Sequence, residues 1–589
     1  MDRNQHLTAT SHIRQRKTMI FLGASILAVT VAGTSAAALY SRTFTPTRTV
    51  VTTARSFVAG TSLLLSGSAP IVDITRVSVP SRTVARTESQ TPANQAAQNT
   101  DSDLSANQPG QDVNSGVPKT SLGINIAKPT YYGGERSFMN LTAGSSWVLR
   151  SPAVNFGSMP ENQLDVNGVV TKLYANENAV RILSLPNAAY KGQSTEIKCI
   201  WDGDGKVRME KWVTSNVVYN PNSLTFTWVP NGKQAAHIRV TYTNPSNPLR
   251  KLDCREANAS PTDIFHPEFI KSLAPYSSIR FMDWAETNTN NTVTWATRTT
   301  PEASIIRGKD GVAIEYMVAL ANQANVDPWF TIPWNADATY IRNFAIYVRD
   351  NLAANRTAYV ETSNEVWNSS FPVAHQAKDE GLKAGLSANP FQAQMFRYSE
   401  KSAEVLKIWT EVFAKQPNRI VRVVASQNAN SWVADQILNF GDTAKYVDAL
   451  ATAPYFGNNV IAKDESSYIP LDTIFDRLPQ KIEDSISKAK INQDKAAKLG
   501  KRYIAYEAGQ HIVTDNVSLN EAIQRDPRMR QMYDIYLNAW KQQIGDHMAL
   551  YADIGPISKY GAWGAQEYIG QPLAETPKLQ SILKFAANN

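Results

Sequence analysis

Cysteine is nearly absent from this chain: two residues in 589, Cys199 and Cys254. That excludes a disulfide-built scaffold and a Cys-rich zinc module. One bridge, in an exported chain, and two unpaired buried thiols are both open readings. Histidine is scarce too, seven residues with no cluster at zinc-ligand spacing. No G-x-S-x-G elbow occurs, which argues against a serine esterase on an α/β-hydrolase sheet. Charged residues are only 19% of the chain, and the formal net charge of +7 is unevenly spread. Residues 1–120 hold 11 Lys+Arg against 6 Asp+Glu, leaving about +2 for everything beyond. The long remainder is nearly neutral, so nothing in it favours nucleic acid. Tryptophan is missing before Trp147, although the chain holds 13 from that residue on. What is present is apolar: 43% hydrophobic residues suit a large folded core and exclude collagen, a rod or wholesale disorder.

The N-terminus reads as an address. Arg3, Arg14, Arg16 and Lys17 precede an apolar run from Met19 to Tyr40, with Ala36, Ala37 and Ala38 as small residues for cleavage. The run is about long enough to span a bilayer, which takes roughly 20 residues. Positive charge before it directs the rest outward. We expect an exported chain, extracellular, periplasmic or facing outward from a membrane, with residues 19–40 as a possible tether. From 41 to 120 the sequence is rich in Thr, Ser, Ala, Asn, Gln and Pro, and 87–119 has almost no large apolar side chain. Such a stretch cannot bury enough surface to offset chain entropy and reads as a disordered spacer.

From about Ser121 short apolar runs alternate with long amphipathic stretches, which points to a parallel sheet with crossover helices. The candidate strands are Leu122–Ile126, Ser278–Trp284, Pro328–Ile332, Ala358–Thr362, Ile420–Ser426, Val447–Ala453, Arg502–Tyr506 and Met548–Asp553. Asp337 is placed to cap a helix over Ala338–Asn351, and Phe391–Phe413 and Asp526–Gln543 are further helices. Eight strands with helices between most of them predict an α/β fold, a (β/α)8 TIM barrel. A doubly wound open sheet is the rival, weakened by the lack of a Gly-rich phosphate loop after the first strand.

One interval breaks the alternation. Between the first two strands Val169–Tyr174, Ala179–Leu185, Thr195–Trp201, Lys206–Trp212, Leu224–Val229 and His237–Tyr242 read as short strands of an inserted β-sandwich that holds both cysteines. Asp202-Gly203-Asp204-Gly205 reads as a hairpin turn. It starts like a calcium loop, but Val213 stands where the bidentate Glu would be. The expected organisation is therefore residues 1–40 signal peptide or N-terminal membrane anchor, 41–120 spacer, 121–158 and 256–589 catalytic barrel, and 159–255 inserted sandwich.

Reacting groups of a (β/α)8 barrel stand at the C-terminal ends of its strands. There the fourth candidate strand runs into Glu361-Thr362-Ser363-Asn364-Glu365-Val366-Trp367 and the seventh into Tyr506-Glu507-Ala508-Gly509-Gln510-His511. Glu365 and Glu507 lie in uncharged surroundings, three strands apart, so they can face each other across the mouth. Two carboxylates are what glycosidic cleavage needs. At about 5–5.5 Å apart one is a nucleophile and configuration is retained; at about 6.5–9.5 Å a water fits between and configuration inverts.

An Asn-Glu pair closing strand four, with a Glu closing strand seven and Arg280 in strand two, resembles clan A of the glycoside hydrolases. The resemblance covers Ser121 to Asn589 apart from the insert, with Val366 where many members have Pro. It implies a retaining β-glycoside hydrolase with Glu365 as acid/base and Glu507 as nucleophile. It also implies that Asn364 bonds the sugar 2-hydroxyl, Arg280 supports the nucleophile and Tyr455 contacts it. The substrate would be a carbohydrate polymer or oligosaccharide, and no cofactor or metal is called for. Trp284, Trp334, Trp367 and Trp563 are candidates to stack on sugar faces, and His511 to line the cleft, with core packing or a structural loop role as the alternatives. A carbohydrate-binding envelope protein on the same fold, with little hydrolysis, is the competing function.

Overall fold

The computed structural model describes residues 121–588 except 211, 463 and 466–468. The expected signal or anchor and the spacer, including residues 19–40, lie outside these. Among the described residues no helix is long and apolar enough to cross a membrane.

Eight parallel strands close into a barrel: Leu122–Asn125, Ser278–Arg280, Asp327–Ile332, Ala358–Thr362, Ile420–Ala425, Ala449–Thr452, Arg502–Ala505 and Met548–Tyr551. They are called strands one to eight below. Closure comes from strand one pairing with strand eight as well as strand two, with Leu122 opposite Met548 and Gly123 opposite Ser278. The open-sheet rival is thereby excluded, and the fold is a TIM barrel. Side-chain alternation separates two cores. Ile124, Ile279, Phe330, Val360, Val424, Leu450 and Leu550 point out against the helices. Trp329, Tyr359, Val423, Ala449, Ala451, Ile504, Tyr506 and Ala549 fill the interior.

The helices follow their local signals. Asp337 Oδ1 accepts the Tyr340 N–H at 2.6 Å and starts the helix Ala338–Asn351. Asn389 Oδ1 accepts from the N–H groups of Phe391 and Gln392, both at 3.0 Å, and Pro390 opens the helix Pro390–Val412. The last expected helix spans Arg528–Gln543.

The insert is two antiparallel sheets around a shared core. One orders Arg250–Glu256, Thr195–Asp202, Ser223–Trp228 and Thr214–Asn220; the other orders Gly157–Ser158, Val148–Arg150, Asn178–Ile182, His237–Thr243 and Gly205–Met209. Ile197, Leu224 and Phe226 from the first sheet meet Ala179, Val207, Ile238 and Val240 from the second. Cys199 and Cys254 are cross-strand partners and form a disulfide.

Three expectations about the insert need correction. Its start is not at 159: Val148–Arg150 pairs with Asn178–Ile182, and Trp147 and Leu149 belong to its core. Three residues with one buried side chain are too short for a period to show. Val169–Tyr174 is not a strand and makes only an isolated bridge at Val170. Asp202–Gly205 is not a hairpin, because the strands it joins lie in different sheets. It is the corner between them. Gly203 sits there at φ +82°, and a Cβ would come within 2.1 Å of the Pro248 carbonyl oxygen.

At the floor of the barrel, where the strands begin, His547 fills the interior. Its Nδ1 and Nε2 each lie 2.8 Å from a serine hydroxyl, of Ser121 and Ser278, and its ring stacks on Tyr359. Gly123 leaves room for it: a Cβ there would lie 2.8 Å from Nε2. Burial lowers the His547 pKa from its ordinary 6.5 to about 4. The unfolded chain therefore binds this proton first, so the contribution is complete above pH 6.5 and is lost as pH falls towards 4. In full it amounts to about 3 kcal/mol. Denaturant unfolding at pH 7 and pH 4.5 should show a larger drop in stability for the wild type than for His547→Gln. Equal drops would refute a neutral buried imidazole.

Candidate active site

Every N–H of one guanidinium is used at the top of the barrel. Arg280 points inward from strand two and is fully buried. Its Nε donates to Glu361 Oε2 at 3.0 Å and Nη2 to Glu361 Oε1 at 3.1 Å. Nη2 also donates to Asn364 Oδ1 at 2.9 Å, and Nη1 to Asn125 Oδ1 at 3.0 Å and Glu507 Oε1 at 2.9 Å. Those five bonds reach strands one and four and the residues that follow strands four and seven. Trp329 Nε1 adds a donor to Glu361 Oε2 at 2.9 Å.

The two expected carboxylates are held differently. Glu507 has the Arg280 cation on Oε1 and the Tyr455 hydroxyl on Oε2 at 3.0 Å. Glu365 has only neutral donors, Tyr506 O–H on Oε1 and Asn368 Nδ2 on Oε2, both at 2.8 Å. Backbone geometry presents Glu365: Ser363 and Glu365 have φ +60° and +42° on either side of Asn364. Left-handed conformations at non-glycine residues cost about 1–3 kcal/mol each and persist where the surroundings fix them.

Electrostatics follow from these contacts. Burial raises the pKa of both carboxyls. At Glu507 the adjacent Arg280 opposes burial, whereas at Glu365 the main opposition is hydrogen bonding from Asn368 and Tyr506. A full cation stabilises a carboxylate more than neutral donors do. Even with the cation beside it, burial and the Glu365 charge leave the Glu507 pKa raised to about 7. Burial and the neighbouring carboxylates push the Tyr455 and Tyr506 phenols well above their ordinary value, so both stay protonated and donate. Burial works against the charge on Arg280, but Glu361 and Glu507 outweigh it and raise its pKa.

Around this pair, Asn364 is fixed at both ends, accepting from Arg280 and donating to Asn288 Oδ1 at 3.0 Å. His511 packs its ring between Tyr455 at 5.5 Å and Trp563 at 5.7 Å, and burial lowers its pKa. Trp563 and Trp367 are partly exposed. Two expected stacking residues are corrected. Trp284 is fully buried, stacked on Phe138, with Nε1 donating to the Ala127 carbonyl at 3.0 Å. Trp334 is buried beneath Arg397 and its Nε1 points to Glu380. Neither offers a face to a sugar. A Trp just past a strand end reads alike in sequence whether it turns to the mouth or to the surrounding shell.

Glu361, Asn125, Tyr506, Asn368 and Asn288 were not singled out from the sequence. Strand alternation could have found the first three, since it turns Tyr359 and Glu361 inward together and does the same for Asn125 and Tyr506. Among the described residues no group of three or more His, Cys, Asp or Glu is placed to hold a metal ion.

Removing one partner of a buried ion pair leaves the other charge uncompensated and costs about 3–5 kcal/mol. Glu361→Ala should therefore destabilise the fold by that amount in guanidinium unfolding. A loss below about 1 kcal/mol, the scale of an exposed pair, would show that the pair is not desolvated in solution.

No family model matches the sequence, and no curated protein matches it. Solved structures do. The GH51 arabinofuranosidase from Xanthomonas axonopodis pv. citri is 14% identical, with a TM-score of 0.35, over 50% of this chain and 62% of its own. The chain thus spans less than two thirds of that enzyme. A GH5-4 broad specificity endoglucanase from Ruminococcus flavefaciens is 9% identical, TM-score 0.34, over 54% of this chain and 85% of its own. The CBM22-1–GH10 modules of the Clostridium thermocellum endo-1,4-beta-D-xylanase 10B are 11% identical, TM-score 0.35, over 77% and 97%. This chain is similar to structures named as glycoside hydrolases, and the likeness is one of fold.

Proposed function

We propose that the chain is an exported retaining glycoside hydrolase that cleaves β-glycosidic bonds of a polysaccharide or oligosaccharide. One observation carries the reading: two nearly buried carboxyls follow strands four and seven of the barrel, one paired with a cation and one bonded only to neutral donors. In this reading Glu507, held by the Arg280 cation, is the ionised partner and Glu365 the proton donor, the state a double displacement needs before its first step; burial and Glu365 raise the Glu507 pKa to about 7, so the nucleophile ionises near neutral pH.

In that step a Glu507 oxygen forms a bond to the anomeric carbon. The bond from that carbon to the leaving oxygen breaks, and the Glu365 proton goes to this oxygen. Glu365, now ionised, takes a proton from water. The water oxygen attacks the anomeric carbon, and the bond to Glu507 breaks with its electron pair returning to the carboxylate. Tyr455 and Arg280 hold Glu507 throughout, and no cofactor takes part. The disulfide of Cys199 and Cys254 supports export, because such bonds persist in oxidising compartments. So does the basic segment ahead of the apolar run at 19–40.

With the full chain and a panel of aryl β-glycosides, Glu507→Ala should abolish turnover. Glu365→Ala should lose least on the best leaving group and regain rate with azide as an external nucleophile, giving a β-glycosyl azide. NMR of the first-formed sugar should show the β anomer. Wild-type turnover in Glu507→Ala, or an inverted product, would defeat the mechanism.

A further inference from the structure

A single exposed aromatic needs no ligand to explain it. The face that carries Glu365 and Glu507 has two aromatic pairs in a defined relation. Tyr131 and Tyr132 follow strand one; their rings lie 5.1 Å apart, edge to face, and are 36% and 59% exposed. Trp432 follows strand five, is 38% exposed, and stacks on Phe391 at 5.7 Å with 23° between the planes. In a closed eight-strand barrel, strands one and five are diametrically opposite. Tyr131, Tyr132 and Trp432 follow the C-terminal ends of their strands, so they belong to the same face of the barrel, after strands on opposite sides of it.

The Trp432 side is braced towards the chemistry. Asn389 fixes the helix start that carries Phe391, and Gln392 Nε2 donates to Gln436 Oε1 at 2.8 Å, tying it to the helix that Trp432 opens. Gln394 Nε2 donates to the Val366 carbonyl at 2.6 Å, linking the same helix to the residue after Glu365. One face of the indole packs against Phe391, and the residue keeps 38% of its surface exposed. The C–H face of a pyranose complements such a surface.

We propose that this face binds an extended pyranose polymer with sugar subsites on both sides of the scissile bond, so that the enzyme cleaves within the chain rather than from its end. Trp432 is the platform on the Glu365 side, where the leaving part of the chain lies, and the Tyr131–Tyr132 pair is the platform on the opposite side. The inference rests on the glycoside hydrolase reading and adds the mode of action to it.

The test uses the full chain, three soluble polymers (carboxymethylcellulose, glucomannan and xylan) and aryl β-glycosides of the same sugars. Wild type should cut viscosity early and release mixed oligosaccharides. Trp432→Ala and Tyr132→Ala should each raise the KM for polymer relative to that for the aryl glycoside by about two- to tenfold. Ile491→Ala, an exposed apolar change on the helix Leu471–Lys498, should leave that ratio unchanged. Release of single sugars only, or an unchanged ratio in both aromatic variants, would overturn the two-sided platform while leaving the hydrolase reading intact. If no substrate is cleaved, the hydrolase reading fails, and retardation in gels containing the same polymers decides the platform separately. Retardation lost in Trp432→Ala supports it, and a wild type unretarded by all three overturns it.

Discussion

A guanidinium has five N–H donors, and in this barrel Arg280 spends each on a side-chain oxygen. A buried arginine left short of partners would be costly, so the site is built around satisfying this one. Its partners come from strand one, strand four, and the residues just past strands four and seven. Satisfying one side chain therefore sets the positions of Asn125, Glu361, Asn364 and Glu507 together. Glu361 makes the arrangement more than a simple salt bridge. One cation between two carboxylates leaves a net negative charge, so Glu507 is only partly neutralised and its proton affinity stays raised by burial and by Glu365.

That incomplete neutralisation distinguishes the surroundings of the two carboxyls. With Arg280 wholly committed to Glu507, and no further carboxylate, Glu507 would be a weakly basic spectator ion. Without Arg280, the two carboxyls would differ little. Glu507 is stabilised as an anion by a full cation, while Glu365 depends on a phenol and an amide that bear no charge. Uncharged donors orient a carboxyl without fixing its charge, which is what the proposed acid/base role asks of Glu365.

The eight barrel strands were legible because their outward positions are almost all apolar and helices separate most of them. Glu365, Glu507, Arg280 and Tyr455 were legible because the resemblance names those places, and the structure brings the four together. Glu361 was harder to see: it occupies an inward strand position of the kind that Tyr359 fills with an aromatic ring, and only the alternation distinguishes it from a charged loop residue. The insert was read least well. Its strand Thr214–Asn220 has a mostly exposed burial pattern, and its apolar run, Val217 to Tyr219, is only three residues long. The corner at Gly203 has turn residues that look like a hairpin until the pairing of both neighbours is known. Trp284 and Trp334 failed for a third reason, since residue type and position cannot say to which side a bulky ring turns.

The strain beside Asn364 connects these observations. Ser363 and Glu365 both take left-handed backbone conformations, and neither residue favours them. Asn364 between them is held by Arg280 on its oxygen and by Asn288 on its nitrogen, so the segment cannot relax by turning that amide. The bond from Asn368 back to Glu365, and the Asn368 N–H to the Glu365 carbonyl at 2.7 Å, close the turn from the other side. A relaxed segment here would free Glu365 to swing away from Tyr506. The strained one holds its carboxyl between Tyr506 and Asn368, beside the Arg280 network that sets Glu507. Glu365 and Glu507 are thus both tied to one buried cation, Glu507 directly and Glu365 through the neighbouring Asn364.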